Sequence, residues 1–272
     1  MSLLFDLPEW PSVPVLGETA RYPVHRIFCV GRNYAAHAAE MGLSVVKDTP
    51  FYFTKTPSAI CPSGATAPYA PGTDNYHYEM ELVVAIGAPA FRISEADALS
   101  VVYGYACGFD MTRRDLQAKA REQAHPWDFA KDFEQAAVMA SITKAADFSV
   151  AQQRIQLAQN GAVKQDAVLS DMIFNVAELI AYLSRFYHLR AGDLLYTGTP
   201  DAEGTLGGLV NLGAAAEDRG IQIPDRLRVA TSTDSVTRRL RSSVVSEAGS
   251  EVVPLTRMPC EPSRICISTI RA

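Results

Sequence analysis

Short apolar runs bounded by glycine or proline are the feature that most constrains the fold of this chain. Four segments predict strands: the apolar runs at 27–30 and 194–197, a segment with a polar start and an apolar body at 77–87, and a glycine-punctuated apolar segment at 101–109. Patterns with helical spacing are few and do not alternate regularly with the strands; they lie at 94–99, 113–123 and 171–183. The sequence therefore predicts an α+β fold, mainly β, rather than a regular βαβ array.

Turn residues mark further connections. Asn160-Gly161 lies between two short apolar runs and predicts a β-hairpin, because a type I′ turn needs positive φ at both central residues. Residues 49–54 predict another strand, and the Pro-, Gly-, Ser- and Ala-rich stretch 57–71 predicts a loop.

The composition excludes several classes of protein. With 272 residues, 48% of them hydrophobic, the chain is long enough for one large domain or two small ones. The net charge of −5 predicts no basic surface for nucleic acid. No apolar run approaches the roughly 18 residues of a membrane span. The start has no basic segment and reaches Asp6 and Pro8 too soon for a signal peptide, so we expect a cytoplasmic protein.

The cysteine pattern argues against disulfides and structural zinc. The five cysteines are an odd number, widely scattered, without a Cys-x-x-C pair or a histidine beside any of them. We expect buried, reduced thiols at all five positions: Cys29, Cys61, Cys107, Cys260 and Cys266.

The two ends of the chain differ from its middle. Residues 1–24 are interrupted by four prolines and predict an irregular leader. No aromatic residue follows Tyr196, and nine arginines with many Ser and Thr occupy 213–272. The sequence therefore predicts a catalytic domain at 25–212, followed by an atypical Arg/Ser-rich tail at 213–272.

Two glutamates near the start of the segment 77–87 are candidate metal ligands. Residues two apart in a strand share a face, so His77, Glu79 and Glu81 would point the same way. Neighbouring carboxylates repel each other unless a cation or a shared proton intervenes. Hard oxygen ligands favour Mg²⁺, Mn²⁺ or Ca²⁺. The alternative is that both glutamates line the wet face of a half-exposed strand.

Asp110 ends an apolar strand, where acids are uncommon, and is a third candidate ligand. With Glu79 and Glu81 it would leave octahedral positions for water and substrate. Alternatively, Asp110 or Thr112 caps the helix 113–123 by accepting from the amides of its first turn.

His37 and Glu40 are a candidate general-base pair. On a helical turn at 33–41 they would be neighbours, and the carboxylate would orient the imidazole and raise its basicity. The alternative is an exposed pair on a helix surface.

Four other residues are candidates for binding an anion. Lys131 lies between aromatic residues and is either aimed at an anion or extended along the surface. Arg114 and Gln117, three apart on one helix face, could reach the same site. The turn 198–200 offers the hydroxyl of Thr199 to a carboxylate.

Together these segments resemble the fumarylacetoacetate hydrolase family, and within it the acylpyruvase or fumarylpyruvate hydrolase type. The resemblance rests on five motifs in order, at 30–37, 76–87, 104–117, 126–131 and 196–200. It implies a mixed β-roll of the family's C-terminal-domain type, usually a homodimer, with a few peripheral helices. It also implies Mg²⁺ or Mn²⁺ held by Glu79, Glu81 and Asp110. The implied catalytic residues are His37, Glu40 and Lys131, and the implied substrate-binding residues are Arg114, Gln117 and Thr199.

The implied activity is metal-dependent hydrolysis of the C–C bond of a 2,4-dioxo acid, with fumarylpyruvate the first choice. The context would be breakdown of aromatic compounds by the gentisate pathway. One alternative is an oxaloacetate decarboxylase or a keto–enol isomerase of a related oxo acid. Another is a catalytically impaired metal-binding relative. The His37 and Glu40 pair favours hydrolysis, because decarboxylation needs no base for water.

The chain departs from the family pattern after Pro200. A Gly-rich turn is usual there, and this chain has Asp-Ala-Glu-Gly at 201–204. Residues 205–272 match none of the family's final strands. Three explanations stay open: the tail supplies substitutes, the core is incomplete, or the reading frame is altered.

Overall fold

The centre of the protein is an eight-stranded mixed sheet. The computed structural model describes residues 4–6, 8–35, 47–63, 65–148, 150, 153–159, 162–200 and three two-residue strands beyond them. Its strands are β1 (Ser12–Pro14), β2 (Arg21–Pro23), β3 (Arg26–Val30), β4 (Tyr52–Lys55), β5 (Ile60–Pro62), β6 (Thr66–Ala67), β7 (Tyr76–His77), β8 (Met80–Ile86), β9 (Val102–Asp110), β10 (Thr112–Arg113), β11 (Ala137–Met139), β12 (Thr143–Lys144), β13 (Arg154–Gln159), β14 (Ala162–Val168), β15 (Asp193–Tyr196), β16 (Ile221–Gln222), β17 (Val229–Ala230) and β18 (Ile270–Arg271).

The order in the main sheet is β4-β3-β15-β8-β9-β11-β5, and β12 also pairs with β9. Strand β15 runs parallel to β3 and antiparallel to β8. Every residue of β8 is buried, as expected for a central strand covered on both faces. The four apolar segments that predicted strands contribute β3, β8, β9 and β15, so this part of the prediction is confirmed.

The leader is more ordered than the sequence predicted. Strands β1 and β2 form an antiparallel pair, and Val13 and Val24 are fully buried. The Tyr22 hydroxyl donates to the Ile86 carbonyl at 2.7 Å, which ties this pair to β8. The prolines did not prevent pairing, because Pro14 and Pro23 lie at strand ends, where a missing N–H is tolerated.

The stretch 57–71 is likewise not entirely a loop. It contains a 3-10 turn at Pro57–Ala59 and the short strands β5 and β6. Strand β5 is an edge of the main sheet and pairs in parallel with β11. Edge strands tolerate proline, which explains why the Pro-rich composition hid this strand.

The helices are short and peripheral: α1 (Glu95–Ala98), α2 (Arg114–Glu122), α3 (Asp128–Lys131) and α4 (Val176–Leu183). Other 3-10 turns are Leu99–Val101, Ala145–Asp147 and Leu169–Asp171. The segment 171–183 predicted a helix five residues longer than α4. Asn175 and Glu178 form a capping box that fixes the true start of α4.

The hairpin prediction at 160–161 is confirmed, since β13 and β14 pair antiparallel on either side of these residues. Most of the tail lies outside the described residues, apart from strands β16, β17 and β18. Cys29, Cys61 and Cys107 are buried free thiols, whereas Cys260 and Cys266 lie outside the described part. Within the described residues, no helix is long and apolar enough to cross a membrane.

Candidate metal centre

Three buried carboxylates meet where the start of β8 lies beside the end of β9. The antiparallel register pairs Glu81 with Gly108, and the Asp110 N–H donates to the Glu79 carbonyl at 2.9 Å. Because the side-chain period of a strand is two, Glu79, Glu81 and Asp110 share one face. Their carboxylate oxygens all lie within 4.8 Å of one another.

The two glutamates lie together as expected, whereas His77, which was expected on the same strand face, is not part of the carboxylate group. The predicted strand at 77–87 breaks into β7 and β8, and β7 pairs with β10 instead of β9. His77 contacts the side chain of Asn75 at 2.8 Å through Nε2. In the described part of the chain, the group of side chains that could hold a metal ion consists of Glu79, Glu81 and Asp110.

Neither capping alternative for Asp110 and Thr112 is correct. Helix α2 begins after Arg113, which makes no capping hydrogen bond through its side chain, and the first-turn amide of Leu116 donates to Asp115 instead. The glutamates do not line a wet face either, because Glu79 and Glu81 are 3% and 1% exposed. Asp110 is therefore held in the carboxylate cluster rather than at a helix terminus.

Lys131, at the end of α3, projects its ammonium into the carboxylate cluster. Nζ lies 2.6 Å from Glu79 Oε2, 2.7 Å from Asp110 Oδ2 and 2.7 Å from Thr112 Oγ1. Burial acts to lower the pKa of Lys131, but the charges of Asp110 and Glu79 outweigh it and raise that pKa. The lysine is therefore a buried cation, and its extended surface alternative is wrong.

Lys55 is a second buried lysine at the cluster, which sequence reasoning missed. Its ammonium lies 2.8 Å from Asp110 Oδ1 and donates to the carbonyls of Met111 and Lys131. It links the end of β9 to the end of α3. The one signal in the sequence is a lysine at the end of the aromatic segment Tyr52–Phe53, and nothing local distinguishes it from a surface lysine.

Arg114 is the third cation at the cluster. Nη2 lies 2.5 Å from Glu79 Oε1, and Nη1 donates to the side chain of Gln117. Arg114 therefore contacts the cluster directly and Gln117 contacts Arg114, whereas their role in substrate binding stays a prediction. With every group ionised, the three carboxylates and three cations have a formal charge of zero.

Glu81 is held by the turn that follows β15. The Gly198 N–H donates to Glu81 Oε2 at 2.8 Å. Gly198 has a φ of 97°, and a Cβ there would lie 2.7 Å from the Cβ of Asn33, so the turn requires glycine. Burial raises the pKa of Glu81 well above its ordinary value, and the charges of Asp110 and Glu79 raise it further.

Thr199 follows Gly198 and is also buried. Its hydroxyl oxygen accepts a hydrogen bond of 3.0 Å from the side-chain amide of Gln165 on β14. Gln165 was not identified from the sequence, because a glutamine in a polar hairpin strand carries no local signal of a buried role. His37 and Glu40 lie outside the described residues.

A cavity of about 340 Å³ opens beside Lys131. Phe51, Phe53 and Trp127 line it, and the Lys131 ammonium lies 5.1 Å from the centre of the Phe53 ring. The wall is therefore aromatic, with a buried cation next to it.

The donor set of the cluster fits a hard divalent ion. Three carboxylates supply oxygen ligands of the kind that Mg²⁺ and Mn²⁺ prefer. Asp110 Oδ1 is buried and has no aligned hydrogen-bond donor, although Lys55 lies within ion-pair distance. A mixed sheet carrying buried acidic ligands beside a lysine defines a candidate metal centre of a metal-dependent enzyme.

Comparison with known proteins also indicates a metal-dependent enzyme. The family model described as Fumarylacetoacetate (FAA) hydrolase C-terminal matches residues 26–246, and the chain belongs to this family. The match extends beyond residue 212, where the sequence predicted the catalytic domain to end. The predicted family and its mixed β fold are therefore confirmed.

Three relatives are informative. A fumarylpyruvate hydrolase from Ralstonia sp is 53% identical over 57% of this chain and 81% of its own length. The oxaloacetate tautomerase YcgM of Escherichia coli K12 is 37% identical over 70% of this chain and 87% of its own. The crystal structure of fumarylpyruvate hydrolase from Pseudomonas aeruginosa, in complex with Mn²⁺ and pyruvate, is 41% identical. It matches with a TM-score of 0.72 over 75% of this chain and 90% of that one.

Proposed function

We propose that this chain is a divalent-metal-dependent hydrolase that cleaves a C–C bond of a 2,4-dioxo acid. Fumarylpyruvate, giving fumarate and pyruvate, is the first choice of substrate. The observation that carries the proposal is the buried cluster of three carboxylates with Lys131 among them. Similarity to the fumarylpyruvate hydrolases of Ralstonia and Pseudomonas supports the choice of substrate.

Glu79, Glu81 and Asp110 would hold Mg²⁺, or Mn²⁺ as in the Pseudomonas relative. When bound, the ion supplies a Lewis acid that anchors the oxo acid and stabilises negative charge on it. Two additional positive charges on a balanced cluster favour an anionic substrate, which a dioxo acid with an ionised carboxylate supplies.

Residues of the chain itself would carry the proton transfer and stabilise the developing charge. His37, oriented by Glu40, removes a proton from the water whose oxygen bonds to the C4 carbonyl carbon. The C3–C4 bond breaks, its electron pair forms the enolate of pyruvate, and C3 takes up a proton. The Lys131 ammonium, held beside Glu79 and Asp110, stabilises the negative charge that develops.

Arg114, Gln117 and Thr199 would bind the substrate. Arg114 and Gln117 are linked to the cluster through Glu79, and Thr199 follows the turn that donates to Glu81. The aromatic cavity beside Lys131 has the size and the planar walls to accept an unsaturated acyl group.

A keto–enol isomerase or decarboxylase acting on oxaloacetate is the second candidate. The E. coli relative named as an oxaloacetate tautomerase supports it. The same three carboxylates would serve either reaction, and neither needs a water to be activated. A metal-binding relative with impaired catalysis is the third candidate.

We also propose a homodimer in the cytoplasm, acting in the gentisate pathway of aromatic compound breakdown, without nucleic acid or membrane partners. The proposed catalytic domain spans 25–212, with 213–272 as an additional tail. The net charge of −5 supports the absence of a nucleic-acid partner, and the family resemblance implied the homodimer.

Product analysis tests the proposed function. Purified protein with Mg²⁺ is given fumarylpyruvate, acetylpyruvate and oxaloacetate in parallel, and pyruvate, fumarate and CO₂ are measured. We expect equal amounts of fumarate and pyruvate from fumarylpyruvate. Faster tautomerisation or decarboxylation of oxaloacetate would move the assignment to the second candidate. Metal binding without turnover of any oxo acid would favour the third.

A further inference from the structure

Lys55 lies where the two edges of the main sheet approach each other. It is the last residue of β4, which forms one edge of the sheet. The other edge is β5, which begins after four intervening residues, at Ile60. Because so short a connection spans at most about 18 Å, the two edges lie close together and the sheet curls. A side chain from β4 can therefore reach Asp110 on β9, although three strands separate β4 from β9 in the sheet.

The ammonium of Lys55 is surrounded by groups from two other segments, and its side chain is fully buried. It donates to the Met111 carbonyl at 3.2 Å and to the Lys131 carbonyl, and it lies 2.8 Å from Asp110 Oδ1. The centre of the Phe133 ring lies 5.6 Å from the same nitrogen. Lys55 therefore joins the end of β9 to the end of α3 at a position that leaves its ammonium little freedom.

The next residue makes a second link to the end of α3. The main-chain N–H and the hydroxyl of Thr56 both donate to Asp132 Oδ1, at 2.8 and 3.0 Å. Asp132 directly follows Lys131, the last residue of α3. Lys55 and Thr56 together therefore hold the segment from which the Lys131 ammonium reaches Glu79 and Asp110.

We propose that Lys55 is a positioning residue for the metal ion, which holds Asp110 in place as a ligand and Lys131 in place beside it. The inference rests on the metal ion of the proposed function, but on no step of the hydrolysis. Side chains that orient metal ligands from outside commonly set the affinity for the metal. Asp110 Oδ1 has no aligned hydrogen-bond donor, so Lys55 compensates the charge of this carboxylate and leaves the oxygen able to bind an ion.

A role in charge and a role in position predict opposite effects on metal affinity. Lys55 is a positive charge beside a ligand, so by Coulomb repulsion alone its removal would strengthen the binding of a divalent cation. The same holds for Lys131, which contacts Asp110 Oδ2 at 2.7 Å. If Lys55 positions Asp110, however, its removal weakens the binding of the cation.

The test is a titration of the purified protein with Mn²⁺, in which electron paramagnetic resonance measures the free ion. It needs no substrate and no turnover, so its result is separate from that of the proposed hydrolysis. Lys55→Met removes the charge, whereas Lys55→Arg keeps the charge and changes the geometry of the head group.

Two further variants are controls. Lys131→Met is matched for charge, because it removes a cation from the same carboxylate. Tyr22→Phe controls for lost stability, because the Tyr22 hydroxyl bonds to Ile86 at the other end of β8. Circular dichroism shows whether each variant is folded, and Lys55→Arg decides the test if Lys55→Met does not fold.

We expect both Lys55 variants to bind Mn²⁺ about 10-fold more weakly than the wild type. Lys131→Met is expected to bind at least as tightly as the wild type, and Tyr22→Phe equally tightly. Unchanged or tighter Mn²⁺ binding by a folded Lys55 variant, an equal weakening in either control, or no Mn²⁺ binding by the wild type would each overturn the inference.

Discussion

At the scale of single residues, the buried carboxylates of the cluster are stabilised by the cations that lie beside them. Asp110 has one lysine at each oxygen, with Lys55 at Oδ1 and Lys131 at Oδ2. A buried ion pair costs much desolvation, and removing one partner leaves the other charge uncompensated. Each cation is therefore needed for the fold as well as for the site.

Lys55→Met is expected to lower the free energy of unfolding by about 3–5 kcal/mol. The substitution leaves Asp110 with one lysine and removes the donor to the Met111 and Lys131 carbonyls. Urea unfolding followed by circular dichroism measures the change. Lys144→Met is the control, because it removes an exposed lysine paired with Glu18 and is expected to change stability little. Equal stability of the two variants would contradict the role given to Lys55.

Glu81→Gln is expected to change how the free energy of unfolding of the metal-free protein depends on pH. The pKa of Glu81 is raised in the folded state above its ordinary value of 4.5, so the folded state holds the proton longer than the unfolded state. Stability contributed by this proton is present at low pH. It is lost as pH rises from 4.5 through the raised pKa, by up to about 1.4 kcal/mol per pH unit.

Stability curves of the wild type and Glu81→Gln, measured with chelator between pH 4 and 9, test this sign. The wild type is expected to lose stability relative to the variant as pH rises. Parallel curves, or a relative gain by the wild type, would show that the Glu81 pKa is not raised.

At the scale of elements, sequence patterns predicted the central strands and missed the short ones at the rim. β3, β8, β9 and β15 were predictable because apolar segments of four or more residues with turn residues near their ends leave few alternatives. β1, β2 and β5 were not, because three residues are too few to show a periodic pattern and their prolines suggested irregular chain. Partner strands, rather than local propensity, determine such elements.

Tyr22→Phe is expected to cost about 1–3 kcal/mol of stability, since the β1–β2 pair is part of the core. The hydroxyl donates to the Ile86 carbonyl and accepts from the Gly192 N–H at 2.9 Å. The substitution removes both contacts and leaves these groups only the longer hydrogen bond of 3.3 Å between them. Denaturant unfolding measures the loss. Tyr187→Phe, at a tyrosine that is 42% exposed, is the matched control and is expected to be neutral. If Tyr22→Phe left the stability unchanged, the β1–β2 pair would not be part of the core, and the sequence prediction of an irregular leader at 1–24 would stand.

At the scale of the whole molecule, the site is assembled from distant parts of the chain. Sequence patterns singled out Glu79, Glu81, Asp110, Lys131 and Arg114 only as candidates, and the structure brings these side chains together. Their roles were implied by the family resemblance and stay predictions. The sequence could not identify Lys55 or Gln165, whose contacts arise only when β4 and β14 pack beside β8 and β9. The roles of His37 and Glu40 stay predictions, since both lie outside the described residues.

The most direct test of the account is metal-dependent turnover of fumarylpyruvate. The protein is stripped with a chelator, and loss of the ultraviolet absorbance of the enolised substrate is followed before and after Mg²⁺ or Mn²⁺ is restored. The account predicts that the stripped protein is inactive, and that the restored protein forms one pyruvate for each fumarylpyruvate consumed. Full activity of the stripped protein, or restored metal without pyruvate formation from protein that is folded by circular dichroism, would contradict it.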